Sequence, residues 1–152
     1  MAPGASALQD LAGTFLRRGN TLRLRARGES MLPFLRHGDV LHVRPLAAAA
    51  VRVGDVICYA PSPGRLHLHR VVARDERGFV TRGDALPYVE AVPATAVLGR
   101  VIARERGGRV RRLDTAAARR SGRAIVTAAP LVARLLPLAR AGWRAWRTVR
   151  RG

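Results

Sequence analysis

Leu8, Leu11, Ala12, Phe15 and Leu16 recur at helical spacing across residues 5–16, and Arg17-Arg18-Gly19-Asn20 supplies helix-stop residues, so this segment is expected to form one short amphipathic helix. From Thr21 the period changes to two. Leu22, Leu24 and Ala26 alternate with Arg23, Arg25 and Arg27, as in a half-exposed strand that ends at Gly28. Val40 to Val43 follows a His37-Gly38-Asp39 turn, and Val56 to Tyr59 follows Gly54-Asp55. Leu66 to Arg74 reads as a longer strand that turns at Asp75-Glu76-Arg77-Gly78 and returns through Phe79-Val80-Thr81, and Val97 to Arg104 reads as another. Five or six short strands punctuated by Gly-Asp and Pro turns, with no long helices between them, predict a mainly β domain over residues 21–112.

Past residue 112 the pattern changes again. Residues 113–123 are small and basic and are expected to be a linker; a helical pattern then covers 124–152, interrupted by Pro130 and Pro137. At 100° per residue Leu131, Leu135, Leu138, Trp146 and Val149 share one face, and Arg140, Arg144, Arg147 and Arg151 gather on another. A basic amphipathic helix of this kind suits the surface of an anionic membrane. The alternative is a helix packed on the protein's own body.

Composition sharpens the picture in two ways. The chain of 152 residues carries 28 basic and 10 acidic side chains, a net of +18, and every basic residue is arginine. The absence of lysine closes every mechanism that needs a neutral amine, including Schiff bases, the phosphate-loop lysine and serine-lysine dyads. The charge is also uneven: residues 1–99 hold 13 arginines and 8 acids, a net of +5, whereas residues 100–152 hold 15 arginines and 2 acids, a net of +13. Most of the excess therefore concerns where the protein sits. Aromatic residues, at 5%, offer few stacking platforms for nucleic-acid bases, and no specific nucleic-acid partner is expected. A single cysteine, Cys58, excludes an internal disulfide and a thiolate zinc site, and its apolar run predicts burial. No segment reaches the roughly 18 apolar residues of a membrane span, and no basic-then-apolar leader is present, so a cytoplasmic or peripheral membrane location is expected.

Four serines are present, and Ser6, Ser62 and Ser121 lie in ordinary leader, proline-flanked and basic surroundings. Ser30 lies in Gly28-Glu29-Ser30-Met31-Leu32-Pro33, where a strand ends in a turn. A turn exposes a hydroxyl and leaves backbone N–H groups free to hold an oxyanion, although a serine after glycine is also common turn chemistry. A hydroxyl needs a base, and without lysine the candidates are the histidines. His37 and His42 flank a turn and read as surface residues, while His67 and His69 share one strand face, so spacing does not choose between them. Thr81-Arg82-Gly83-Asp84 places a carboxylate at a further turn, and the same Gly-Asp pair at 38–39 and 54–55 is a plain turn signal.

In series, Gly28-Glu29-Ser30-Met31-Leu32-Pro33, Gly38-Asp39-Val40, Val53-Gly54-Asp55-Val56-Ile57, His69-Arg70-Val71, Thr81-Arg82-Gly83-Asp84 and Leu98-Gly99-Arg100-Val101 resemble the signal peptidase I family over residues 25–104. Within it they resemble the histidine-using branch found in archaea, the endoplasmic reticulum and some bacteria. The resemblance implies a small coiled β-sheet domain and a serine endopeptidase in which Ser30 attacks and His69 is the base. Backbone N–H groups of Ser30 and Met31 would hold the oxyanion, and Asp84 would orient the imidazole, with Glu90 as the rival acid. It implies a peptide or preprotein substrate cleaved after small residues, and neither cofactor nor metal.

Two departures qualify it. The family's usual membrane anchor is replaced by one short helix, and the 11 residues from Arg70 to Val80 leave no room for its larger second β region. Gly28 also stands where some members carry an oxyanion-binding hydroxyl. A self-cleaving repressor of the same superfold would need the missing lysine and a helical DNA-binding domain. A peptide-binding protein that does not cut, and a basic nucleic-acid binder, are the other readings.

Overall fold

The computed structural model describes residues 5–128. Its backbone is mainly β: helix α1 (Ala5–Arg17) precedes strands β1 (Leu22–Arg25), β2 (Val40–Arg44), β3 (Val56–Tyr59), β4 (His67–Arg74), β5 (Gly78–Arg82), β6 (Glu90–Pro93), β7 (Val97–Arg106) and β8 (Arg109–Arg112). All strand pairs are antiparallel, in the order β1-β2-β7-β3-β4-β5-β6, with β8 added to β7. Residues 116–128 form a second helix, α2. Among the described residues no helix is long and apolar enough to cross a membrane.

The sheet buries both faces, as its strand sequences require. One cluster gathers Leu16 of α1 with Met31, Leu35, Leu41, Val43, Val56, Cys58 and Val101; the other gathers Val51, Ile57, Tyr59, Val71, Phe79 and Val92. Strand β3 is therefore buried at every position, contributing alternate residues to each cluster. Cys58 lies in this interior, where burial pushes its thiol up to about 12 and leaves it unreactive.

Helix α2 begins within the segment expected to be a linker. Thr115 Oγ1 accepts a hydrogen bond from the Ala118 N–H at 3.2 Å, a cap at its first turn. Gly122 packs against the turn at Gly54, where a Cβ on Gly122 would stand 2.6 Å from the Gly54 carbonyl oxygen. The close approach explains a glycine inside a helix. The amphipathic face built on Leu131, Leu135, Leu138, Trp146 and Val149, with its arginines, lies outside the described residues.

The loop between β1 and β2, which carries Ser30, is clamped by charged side chains. Arg106 donates from Nε and Nη2 to the two oxygens of Asp39, each at 2.7 Å, and Asp39 also accepts from the Arg36 N–H at 2.8 Å. Arg104 Nη1 donates to the Phe34 carbonyl at 2.6 Å. The Arg106 hydrogen bonds hold the Asp39 carboxyl below its ordinary range even though burial opposes this. Because the folded value lies below the unfolded one, this stabilisation is fully present above about pH 4 and is lost as pH falls through the folded value. Asp39→Asn is therefore expected to lower stability at pH 7 and to flatten the loss of stability between about pH 4 and 2. Urea unfolding across that range checks it, and an unchanged acid limb would contradict it.

Candidate active site

Ser30 and His69, far apart in sequence, line one cavity of about 600 Å³. Its walls come from the start of β4 (His67, Leu68, His69) with Leu66 before it, the end of β1 (Leu24, Arg25) with Ala26 and Arg27 after it, the serine turn (Gly28, Ser30, Met31, Leu35, Arg36), α1 (Gln9, Ala12) and the loop before β6 (Leu86, Tyr88). Besides Ser30, the two histidines, Gln9 and the three arginines, most of these side chains are apolar. Helix α1 is tied to the rim, since Gln9 Oε1 accepts from the Leu66 N–H at 2.9 Å and Asp10 Oδ1 from the Gly64 N–H at 2.6 Å.

Ser30 sits in a run of turns that begins after Gly28, whose φ of 82° is left-handed and favours glycine. Leu32 donates its N–H to the Glu29 carbonyl at 3.1 Å, and Leu35 to Met31 at 2.9 Å. The N–H groups of Ser30 and Met31 make no internal hydrogen bond among the described residues, which is the condition an oxyanion hole requires. The Met31 side chain is buried in the core and anchors the turn. From the other side, the Ser30 carbonyl accepts from the Ala85 N–H at 2.9 Å, and a Cβ on Gly83 would lie 2.6 Å from that same oxygen.

His69 lies on β4 opposite Ile57 of β3, and its ring is nearly buried. Its Nδ1 is 2.9 Å from the Tyr59 hydroxyl, which in turn donates to Glu90 Oε2 at 2.6 Å. A phenol has one proton, and here it points at the carboxylate, so the His69 contact must run from Nδ1–H to the phenol oxygen. This assigns the Nδ1–H tautomer and leaves the Nε2 lone pair free, the form a general base needs. Burial chiefly, aided by the Glu90 hydrogen bond, raises the Tyr59 pKa and keeps its proton in place. Burial also lowers the His69 pKa, as does the neighbouring His67, against the opposing charges of Glu90 and Asp84. The imidazole is thus neutral near pH 7.

No hydrogen bond joins the Ser30 hydroxyl to either imidazole among the described residues. Catalytic contacts of this kind often close only when substrate is bound. His67 lines the same cavity, but its buried Nδ1 has no hydrogen-bond partner. Nothing therefore fixes its tautomer. Of the remaining histidines, His37 is exposed, and half-buried His42 pairs with Glu105.

Asp84 does not meet the imidazole it was expected to orient. Its two oxygens are taken by Arg70, from Nε at 2.8 Å and Nη2 at 2.6 Å, with both side chains almost wholly buried. Arg70 follows His69 directly, so alternation turns it to the opposite face of β4. It also donates to the Gly54 carbonyl at 2.9 Å and lies 4.5 Å from the centre of the Phe34 ring. The Arg70–Asp84 pair thus fastens the Gly83–Ala85 loop to β4, and that loop holds the Ser30 carbonyl. Asp84 is a positioning residue for the serine turn.

Glu90 is the acid next to His69, with Oε2 3.7 Å from His69 Nδ1 and bridged to it by Tyr59. Tyr59 was not identified from sequence. The available signal was a tyrosine closing an apolar buried strand, because a buried phenol needs a partner and hairpin register places it opposite His67. No protein family, curated protein or solved structure matches this chain.

Proposed function

We propose that this protein is a signal-peptidase-like serine endopeptidase that cleaves a leader or precursor peptide after small residues, with Ser30 as nucleophile and His69 as general base. The observation that carries the reading is the Glu90–Tyr59–His69 chain, which leaves the Nε2 lone pair free on a ring lining the same cavity as Ser30. In this mechanism Ser30 Oγ attacks the scissile carbonyl carbon while its proton passes to His69 Nε2. The imidazolium is stabilised by its Nδ1–H bond to Tyr59 and by the Glu90 charge. The N–H groups of Ser30 and Met31 receive the oxyanion. Collapse breaks the C–N bond as Nε2 returns the proton to the leaving amine, and water then hydrolyses the acyl-enzyme with His69 again as base.

A library of peptides bearing small residues before the scissile bond tests the reading. Wild type is expected to cleave a subset, and Ser30→Ala to cleave none. Tyr59→Phe removes the acceptor that fixes the imidazole tautomer and should lower kcat by about 10- to 100-fold, with a smaller effect on KM. Cleavage by Ser30→Ala at the wild-type rate would refute the mechanism.

The basic sequence of residues 124–152 supports placement at the cytoplasmic face of a membrane. Sedimentation with anionic vesicles is expected for the full chain and should be lost on deletion of 129–152; unchanged sedimentation would refute that placement.

A further inference from the structure

His67, His69 and Glu90 bring one donor atom each to within 4.8 Å of one another. His67 Nδ1 and His69 Nδ1 both lie 3.7 Å from the same Glu90 oxygen, Oε2. Donors bound to zinc at 2.0–2.2 Å in a tetrahedron stand about 3.4 Å apart, so the two His–Glu separations are each within about 0.3 Å of that spacing, and the two imidazole donors close on the ion from no more than 4.8 Å. Two imidazoles and a carboxylate are a donor set suited to a divalent first-row ion.

A second observation points the same way. His67 Nδ1 is buried without any hydrogen-bond partner, although a buried polar atom normally has one. It faces Glu90 at a distance too long for a hydrogen bond and suitable for an ion between them. The peptidase mechanism makes no use of it.

We propose that His67 Nδ1, His69 Nδ1 and Glu90 Oε2 form a Zn²⁺ site whose occupancy switches His69 to the opposite tautomer. Zinc takes the lone pair of a deprotonated nitrogen, so the proton on His69 Nδ1 must leave that atom. A neutral metal-bound imidazole then carries its proton on Nε2. The Tyr59 hydroxyl gives up its bonds to His69 and to Glu90 Oε2 and keeps its 3.4 Å contact with Thr81 Oγ1. One consequence rests on the peptidase reading: with Nε2 protonated, His69 cannot accept the Ser30 proton, so zinc is a reversible inhibitor.

The site is tested on the full chain with Zn²⁺ and Co²⁺, without reference to activity. One equivalent should bind, and His67→Ala should weaken binding by at least about 100-fold, the upper end of what losing a supporting partner alone costs. Cooperative thermal unfolding of the variant would show that it folds; His67 is partly exposed, and truncation there leaves the core intact. Nitrogen-15 correlation spectra should show the His69 proton on Nδ1 in chelator-treated protein and on Nε2 with zinc. Failure to bind one equivalent, equal affinity in His67→Ala, or a proton that stays on Nδ1 would each overturn the proposal. Zinc should also abolish the peptide cleavage seen after chelation, and undiminished cleavage at saturating zinc would overturn the inhibitory consequence. Absence of cleavage in chelated protein would count against the peptidase reading alone, since binding and tautomer decide the site.

Discussion

Arg70→Met is expected to destabilise the fold by about 3–5 kcal/mol, the typical cost of removing one partner from a buried ion pair. The size follows from what the guanidinium leaves behind. Asp84, its carboxylate 4% exposed, loses both charge-assisted bonds, and the Gly54 carbonyl loses its donor where α2 packs at Gly122. The ring of Phe34 loses the cation 4.5 Å above it. A substantial part of the deficit should return in Arg70→Met/Asp84→Asn, because the second change removes the stranded charge. Chemical denaturation of the three proteins measures this directly. A loss below about 1 kcal/mol for Arg70→Met would show that the pair does not fasten the loop. The single variant should also lose activity beyond its unfolded fraction, since the loop it fastens holds the Ser30 carbonyl.

His69→Ala is expected to reduce peptide cleavage by about 10³-fold or more, within the range associated with loss of a general base. His67→Ala should cost much less. The two imidazoles share a strand face and a cavity, so their difference lies in their partners. His69 donates to a phenol that is itself bound to a carboxylate, and this fixes the proton on Nδ1 and leaves Nε2 unprotonated; His67 has no such partner among the described residues. Single-turnover kinetics on a cleaved library peptide separates the two variants. A larger loss at His67 than at His69 would move the role of base to His67.

The strands of the β domain were legible where their hydrophobic period was clear, and hidden where it was not. Alternating or apolar runs mark β1 to β5 and β7. Strand β6 is only Glu90–Pro93, a sheet edge ended by a proline, and its burial alternates with a single fully buried residue, Val92. Strand β8, Arg109–Arg112, is exposed at all four positions and has no apolar face to detect, although the Gly107-Gly108 turn before it is a hairpin signal. The start of α2 lies in the small, basic run 113–123, and its mid-helix Gly122 finds its reason only in the Gly54 turn packed against it.

In the site, the serine turn and the His67/His69 strand could be read from sequence because turn chemistry and strand alternation are local. The orienting groups could not. Asp84 and Glu90 are both acids soon after β5, and only the tertiary arrangement decides which one Arg70 takes. The lack of lysine was informative because it is an exclusion and needs no geometry. Tyr59 was hidden by its apolar neighbours: its hydroxyl matters through partners on β4 and β6, which are brought to it, on either side of β5, only after the sheet has formed.

The central claim is that Ser30 is a nucleophile activated by His69. A fluorophosphonate that phosphonylates activated serines tests it without knowledge of the natural substrate. Intact mass and peptide mapping should find one adduct per chain, on Ser30, formed far more slowly in His69→Ala. An adduct elsewhere, no adduct on wild type, or an unchanged rate in His69→Ala would contradict the claim.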